Sequence, residues 1–149
     1  CSIILGVLTS NFNDDSLKSK FSSLGKILGN IFQIRDDVLG IWGTDDTGKP
    51  IGSDIKKKKK SLPIIHGLTH QNSSISKKIH DFLSQEFISD SEVNHVIDIL
   101  NEAGSKTYCQ ELIKEYWSEG EKIIDDLNIS NSFKIDFQEL GTYLSGRHS

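Results

Sequence analysis

Residues 17–42 read LKSKFSSLGKILGNIFQIRDDVLGIW. Leu17, Phe21, Leu24, Leu28 and Ile31 recur at steps of three and four, the period of one apolar helical face. Ile27, Ile34 and Ile41 broaden that face. A second stripe, made of Gly25, Gly29, Gln33, Asp36 with Asp37, and Gly40, falls on one side at about 100° per residue. The stretch predicts a helix buried on most sides, whose remaining side is small, polar and doubly acidic. Buried carboxylates are costly unless they are paired or bound to a cation, and the negative end of the helix dipole disfavours them near a C-terminus. Asp36 and Asp37 therefore call for a cation. A hard oxygen donor set with no His or Cys nearby points to Mg2+ and not to zinc.

Working outward, the chain has 149 residues, enough for one domain with a sizeable core. It is 36% hydrophobic and 26% charged, an ordinary globular composition. A net charge of -4 argues against a nucleic-acid partner. Cys1 and Cys109 have no spacing that suggests a disulfide framework or a zinc ribbon, which fits reduced thiols in a cytoplasm. The apolar run at 2–8 is far shorter than the roughly 20 residues a bilayer requires, so no stable membrane insertion is expected. The chain opens in an apolar run without a cap, which reads as a piece cut from a longer protein inside a helix.

Helical spacing recurs along the chain. Residues 1–9 read as the end of a helix, and Ser16 as the cap of the central one. Residues 43–54 are a loop by composition, followed by five lysines at 56–60 and a helix with Pro63 in its first turn. Further helices are predicted at 76–88 and at 91–103, the latter with a Ser89–Glu92 capping box and a stop at Gly104. A long amphipathic helix over 106–127 has Tyr108, Leu112, Tyr116, Ile123 and Leu127 as its buried face, with Gly120 at the same spacing. Asp136 and Glu139 suggest a last helix carrying Phe137, Leu140 and Leu144. No strand alternation is visible, so the fold class is all-α.

Three other features bear on function. Residues 43–49, GTDDTGK, have P-loop spacing, but Pro50 stands where Ser or Thr would hold Mg2+, and Asp45 and Asp46 would repel phosphate. Lys49 can still meet a phosphate as a point charge. The lysine run reads as a solvated patch, as a localisation or nucleic-acid signal, or as a set of side chains facing the acidic pair. His66 and His70 have the spacing of a helical zinc pair but no third ligand nearby, while Trp42 and Trp117 read as core or interface residues.

FQIRDDVLGIWG at 32–43, followed by TGKPIGSDIKKKKKSLP at 47–63, resembles the second aspartate-rich region of the trans-isoprenyl diphosphate synthases, or polyprenyl synthetases. Phe32, Gln33, Asp36, Asp37, Gly48, Lys49, Gly52, Asp54, Lys59, Ser61, Leu62 and Pro63 match the family pattern in order, and YLSGR at 143–147 is similar to its last helix. The resemblance implies a helical bundle around a central cavity, in a homodimer. It implies Mg2+-dependent condensation of an allylic diphosphate with isopentenyl diphosphate to a longer linear isoprenyl diphosphate. Carried over, Asp36 and Asp37 bind Mg2+, Lys49 and Lys59 neutralise the departing diphosphate, Gln33 lies at the allylic end, Phe32 belongs with the substrate-binding residues, and Asp54 orients the lysine-rich segment.

Two departures stand out. The third Asp of the pattern is Gly40, and nothing resembles the first aspartate-rich motif or its arginines. The expectation is thus the C-terminal portion, residues 1–149, of a single polyprenyl synthetase domain that is inactive alone. A non-catalytic partner subunit of such a synthase is the alternative. A class I terpene cyclase lacks support, because its Asn/Ser/Glu metal motif is not seen.

Overall fold

The computed structural model describes residues 14–43 and 50–146, all helix and connecting turns. Among the described residues seven helices follow one another: α1 Asp15–Trp42, α2 Ser53–Lys56, α3 Leu62–Leu68, α4 Ser73–Leu83, α5 Asp90–Glu102, α6 Ser105–Asp125 and α7 Asn131–Ser145. The expected helix end at 1–9, Cys1 and the P-loop-like segment beyond Gly43, Lys49 included, lie outside the described residues. Two compact units are formed, one from residues 1–33 with 112–149 and the other from 34–111.

In the first unit the N-terminal part of α1 buries Leu17, Leu24, Ile27, Leu28 and Ile31, the face that the spacing predicts. The cap differs from the expectation. The Asp14 carboxylate accepts from the backbone N–H groups of Ser16 (2.9 Å) and Leu17 (3.2 Å), so Ser16 lies inside the first turn. A carboxylate there also meets the positive end of the helix dipole.

The C-terminal part of α6 buries Ile113, Trp117 and Ile124, and Leu127 follows just past its end. This line continues Cys109 and lies one residue beyond the expected Tyr108–Leu112–Tyr116 line. Tyr108 is exposed, and Leu112, Tyr116 and Ile123 are only half-buried. Adjacent stripes are nearly equivalent at a 3.6-residue period, and the bulk of Trp117 decides between them. The Phe21 and Phe137 rings meet at a tilt in the same unit, their centroids 6.0 Å apart, and Lys20 pairs with Asp126 at 2.6 Å. α7 begins at Asn131, ahead of the expected cap at Asp136, and leaves Phe133, Ile135, Leu140 and Tyr143 exposed.

The second unit is built around Ile41, Ile55, Ile64, Ile75, Ile79, Phe82, Val93, Val96, Ile99 and Leu100. Here α4 packs on α3 and α5. α4 starts three residues before the expected Ser76, because the Asn72 side chain accepts from Ser74 N–H at 3.0 Å. It stops at Leu83, where the Ser84 hydroxyl donates to the His80 carbonyl, and so does not reach residue 88. The Ser89–Glu92 capping box of α5 is present, and Gly104 breaks the chain after it with φ 67°. Trp42 is partly buried, its indole N–H donating to Asn101 at 2.9 Å.

Cys109 is fully buried in this unit. Burial, and secondarily the charge of Asp37, push its thiol up to about 11 from an ordinary 9.0. Because the folded value is the higher one, the neutral thiol stabilises the fold fully below pH 9.0, and this contribution is lost as pH rises through about 11. At pH 8 a Cys1→Ser chain should alkylate at Cys109 about a hundredfold more slowly than the same chain in denaturant. Equal rates in the two conditions would show the thiol to be accessible and unperturbed.

Candidate functional site

The acidic stripe ends where α1 meets the segment that carries the lysines. Asp37 is 7% exposed, and both of its carboxylate oxygens are engaged. Oδ2 accepts from the backbone N–H of Leu62 at 2.9 Å, and Oδ1 accepts from the Lys59 ammonium at 2.9 Å. Leu62 opens α3, where the first-turn N–H groups have no partner within the helix, so a carboxylate is a natural acceptor. The same ammonium lies 3.1 Å from Asp54 Oδ2 and 3.8 Å from Asp36 Oδ2. Three carboxylates from two helices therefore converge on one cation.

Backbone geometry delivers Lys59 to this place. Gly52 adopts φ 68° and donates its N–H to the Ile41 carbonyl at 3.1 Å, tying the start of α2 to the last turn of α1. The Ser53 hydroxyl donates to the Gly40 carbonyl at 3.3 Å. Lys58 then takes a left-handed turn at φ 51°, and its ammonium donates to the carbonyls of Gln85 and Glu86. Lys59 N–H donates back to the Asp54 carbonyl at 2.9 Å. A left-handed non-glycine residue is held only where its surroundings over-determine it, and here the neighbour it places is Lys59.

Asp54 is 5% exposed and rests on Gly40. A Cβ built on Gly40 would run into the Asp54 carboxyl group. The absent side chain at 40, noted above only as a departure from a pattern, is therefore the space that the Asp54 carboxylate fills. The Asp37 hydrogen bond, opposed by desolvation and reinforced by Asp54, holds the Lys59 ammonium above the usual lysine range.

The lysine run divides. Lys56 pairs with Asp90 at 2.5 Å, Lys58 ties down residues 85 and 86, and Lys57 and Lys60 are exposed; among the described residues of the run only Lys59 faces the acidic pair. Phe32, 60% exposed, and Gln33 lie on α1 one turn before Asp36 and Asp37. His66 is not placed as a ligand: its Nδ1 is 2.9 Å from the Ser105 hydroxyl and its ring stacks on Tyr108 at 4.3 Å. The Leu62 N–H and the Gly40–Asp54 contact were not found from the sequence, since neither leaves a periodic signal.

Among the described residues no three His, Cys, Asp or Glu side chains are arranged to hold a metal ion by themselves. Two buried polar atoms here, Asp54 Oδ2 and Ser61 Oγ, lack a well-aligned hydrogen bond among the described residues. Asp54 Oδ2 is instead 3.1 Å from the Lys59 ammonium, the contact already described.

A model of the polyprenyl synthetase family matches residues 1–100. The geranylgeranyl diphosphate synthase of Saccharolobus solfataricus is 32% identical over 132 residues, covering 88% of this chain and 39% of that protein. A (2E,6E)-farnesyl diphosphate synthase of Mycobacterium bovis is 26% identical over 138 residues, covering 90% and 38%. The crystal structure of a polyprenyl synthetase from Streptomyces coelicolor A3(2) superposes with a TM-score of 0.81 at 25% identity, over 88% of this chain and 41% of that one. The chain thus spans about two fifths of the length of the relatives it matches. With two thirds of its residues matched by one family model and its all-helical fold shared with a solved member, the chain belongs to the polyprenyl synthetase family.

Proposed function

We propose that the chain supplies the second metal- and diphosphate-binding wall of a trans-prenyltransferase. That enzyme condenses an allylic diphosphate with isopentenyl diphosphate to a longer linear isoprenyl diphosphate. The observation that supports this reading is the Lys59 ammonium within 4 Å of Asp36, Asp37 and Asp54, an ammonium and three carboxylates in one cluster. Asp36 and Asp37 would hold Mg2+, with Asp54 beside them. Bound Mg2+ supplies Lewis-acid stabilisation of the leaving diphosphate.

The chain's own residues do the rest. Lys59 and Lys49 neutralise the diphosphate oxygens, and charge placed where it develops in the transition state is worth most in a dry site. Asp54 sets the position of Lys59, and Phe32 and Gln33 line the allylic end. The 149 residues represent the C-terminal portion of such a synthase, which acts as a homodimer in the cytoplasm.

The test is condensation of isopentenyl diphosphate by the full-length gene product, using allylic diphosphates of increasing length. Asp36→Ala should lower kcat by about a hundredfold or more. The isolated 149-residue chain should show no turnover. A folded full-length product with no activity, whether Asp36 is intact or replaced, would defeat this reading.

A further inference from the structure

We propose that the lysine run and the loop between α4 and α5 form a docking face for an anionic lipid bilayer, with Phe87 as the side chain that enters it. Exposed apolar residues scattered singly are ordinary. Phe87 differs in its setting. It is 81% exposed, and its loop is tied to the lysine run on both sides. Before it, the Lys58 ammonium donates to the carbonyls of Gln85 and Glu86; after it, Lys56 pairs with Asp90 at 2.5 Å. Its neighbour Ile88 packs on the core, so the loop is anchored by one apolar residue and presents the other. Ile51, 53% exposed, shares a surface cavity with Lys56 and Asp90 and adds a second apolar group to this face.

The charge of the face selects the partner. Lys57 and Lys60 are exposed and, among the described residues, have no ion pair. Lysines alone would suit any polyanion, nucleic acid included. An aromatic ring set among lysines whose heads stay in water suits the headgroup boundary of a bilayer, where apolar burial and attraction to anionic lipid act together. The chain as a whole carries a net charge of -4, so this attraction is local to the face. Among the described residues no helix is long and apolar enough to cross a membrane, and the association is with the bilayer surface. Lys59, from the same run, turns to the acidic cluster, so the docked face adjoins the proposed diphosphate site.

The test is flotation of the full-length gene product with phosphatidylcholine vesicles, with and without about 30% phosphatidylserine. Binding is expected to the anionic vesicles only, with release at about 0.5 M salt. Phe87→Ser should weaken it about tenfold, and Lys57→Gln combined with Lys60→Gln about thirtyfold. These three side chains are exposed, so the variants keep the fold. Phe133→Ser, which removes an exposed ring from α7, should leave vesicle binding unchanged.

No binding to anionic vesicles, or equal binding to neutral ones, would overturn the proposal. Wild-type binding by Phe87→Ser, or an equal loss in Phe133→Ser, would do the same. Binding to duplex DNA tighter than to the vesicles would assign the face to a nucleic acid instead. Flotation involves no turnover, so this proposal and the prenyltransferase reading stand or fall separately.

Discussion

Gly40→Ala should destabilise the chain by about 3 kcal/mol, combining a steric clash in a packed site with the loosening of a buried ion cluster. The added methyl group would fall on the Asp54 carboxyl group, which is 5% exposed and cannot retreat into solvent without leaving Lys59. Urea unfolding of the single variant gives the magnitude. The decisive comparison is with Asp54→Ala. Once the carboxylate is gone, the clash has no second partner, and Gly40→Ala should then cost less than about 1 kcal/mol. If the full penalty persists in the Asp54→Ala background, the glycine is needed for some other reason. Gly40→Asp, which restores the residue of the family pattern, should be at least as damaging as Gly40→Ala, since it adds a like charge to the same space.

Trp117→Ala should cost about 4 kcal/mol through lost burial and the cavity left behind. The indole is 1% exposed at the centre of the unit formed by the start of α1, the end of α6 and α7. Its six-membered ring lies directly over Gly141 of α7, where a Cβ would coincide with ring atoms. Gly141→Ala should therefore also destabilise, by about 2 kcal/mol, through overpacking. Thermal melts of the two single variants and the double variant separate the effects. In the double variant the alanine at 141 occupies part of the vacated space, so its loss should be smaller than the sum of the two. Strict additivity would mean that the two residues do not share the contact described.

The helical class and the acidic stripe were legible because both are local. A 3.6-residue period over 17–42 states which side chains are buried, and it does so whatever the helix packs against. The capping box at Ser89–Glu92 is likewise a short-range device, formed by groups three residues apart. Less legible was any choice between nearly equal local options. The buried line of α6 moved by one residue because Trp117 needs a large space, and periodicity carries no information about what that space is. The cap of α1 moved to Asp14 because two adjacent segments both offered suitable side chains.

For the site, the sequence by itself determined the fold class, the two adjacent carboxylates on the least apolar side of α1, and the presence of lysines and Asp54 downstream in a family-like order. Only the tertiary structure decided which lysine meets the carboxylates. Lys56, Lys58 and Lys59 are chemically identical, yet they turn respectively to Asp90, to the carbonyls after α4, and to Asp36, Asp37 and Asp54. The physical reason is that a run of one residue type has no internal preference of its own. The left-handed turn at Lys58 and the docking of Gly52 and Ser53 on the last turn of α1 set the direction of each side chain. The glycine at 40 is a gap when read as sequence, and in the fold it is the seat of the Asp54 carboxylate.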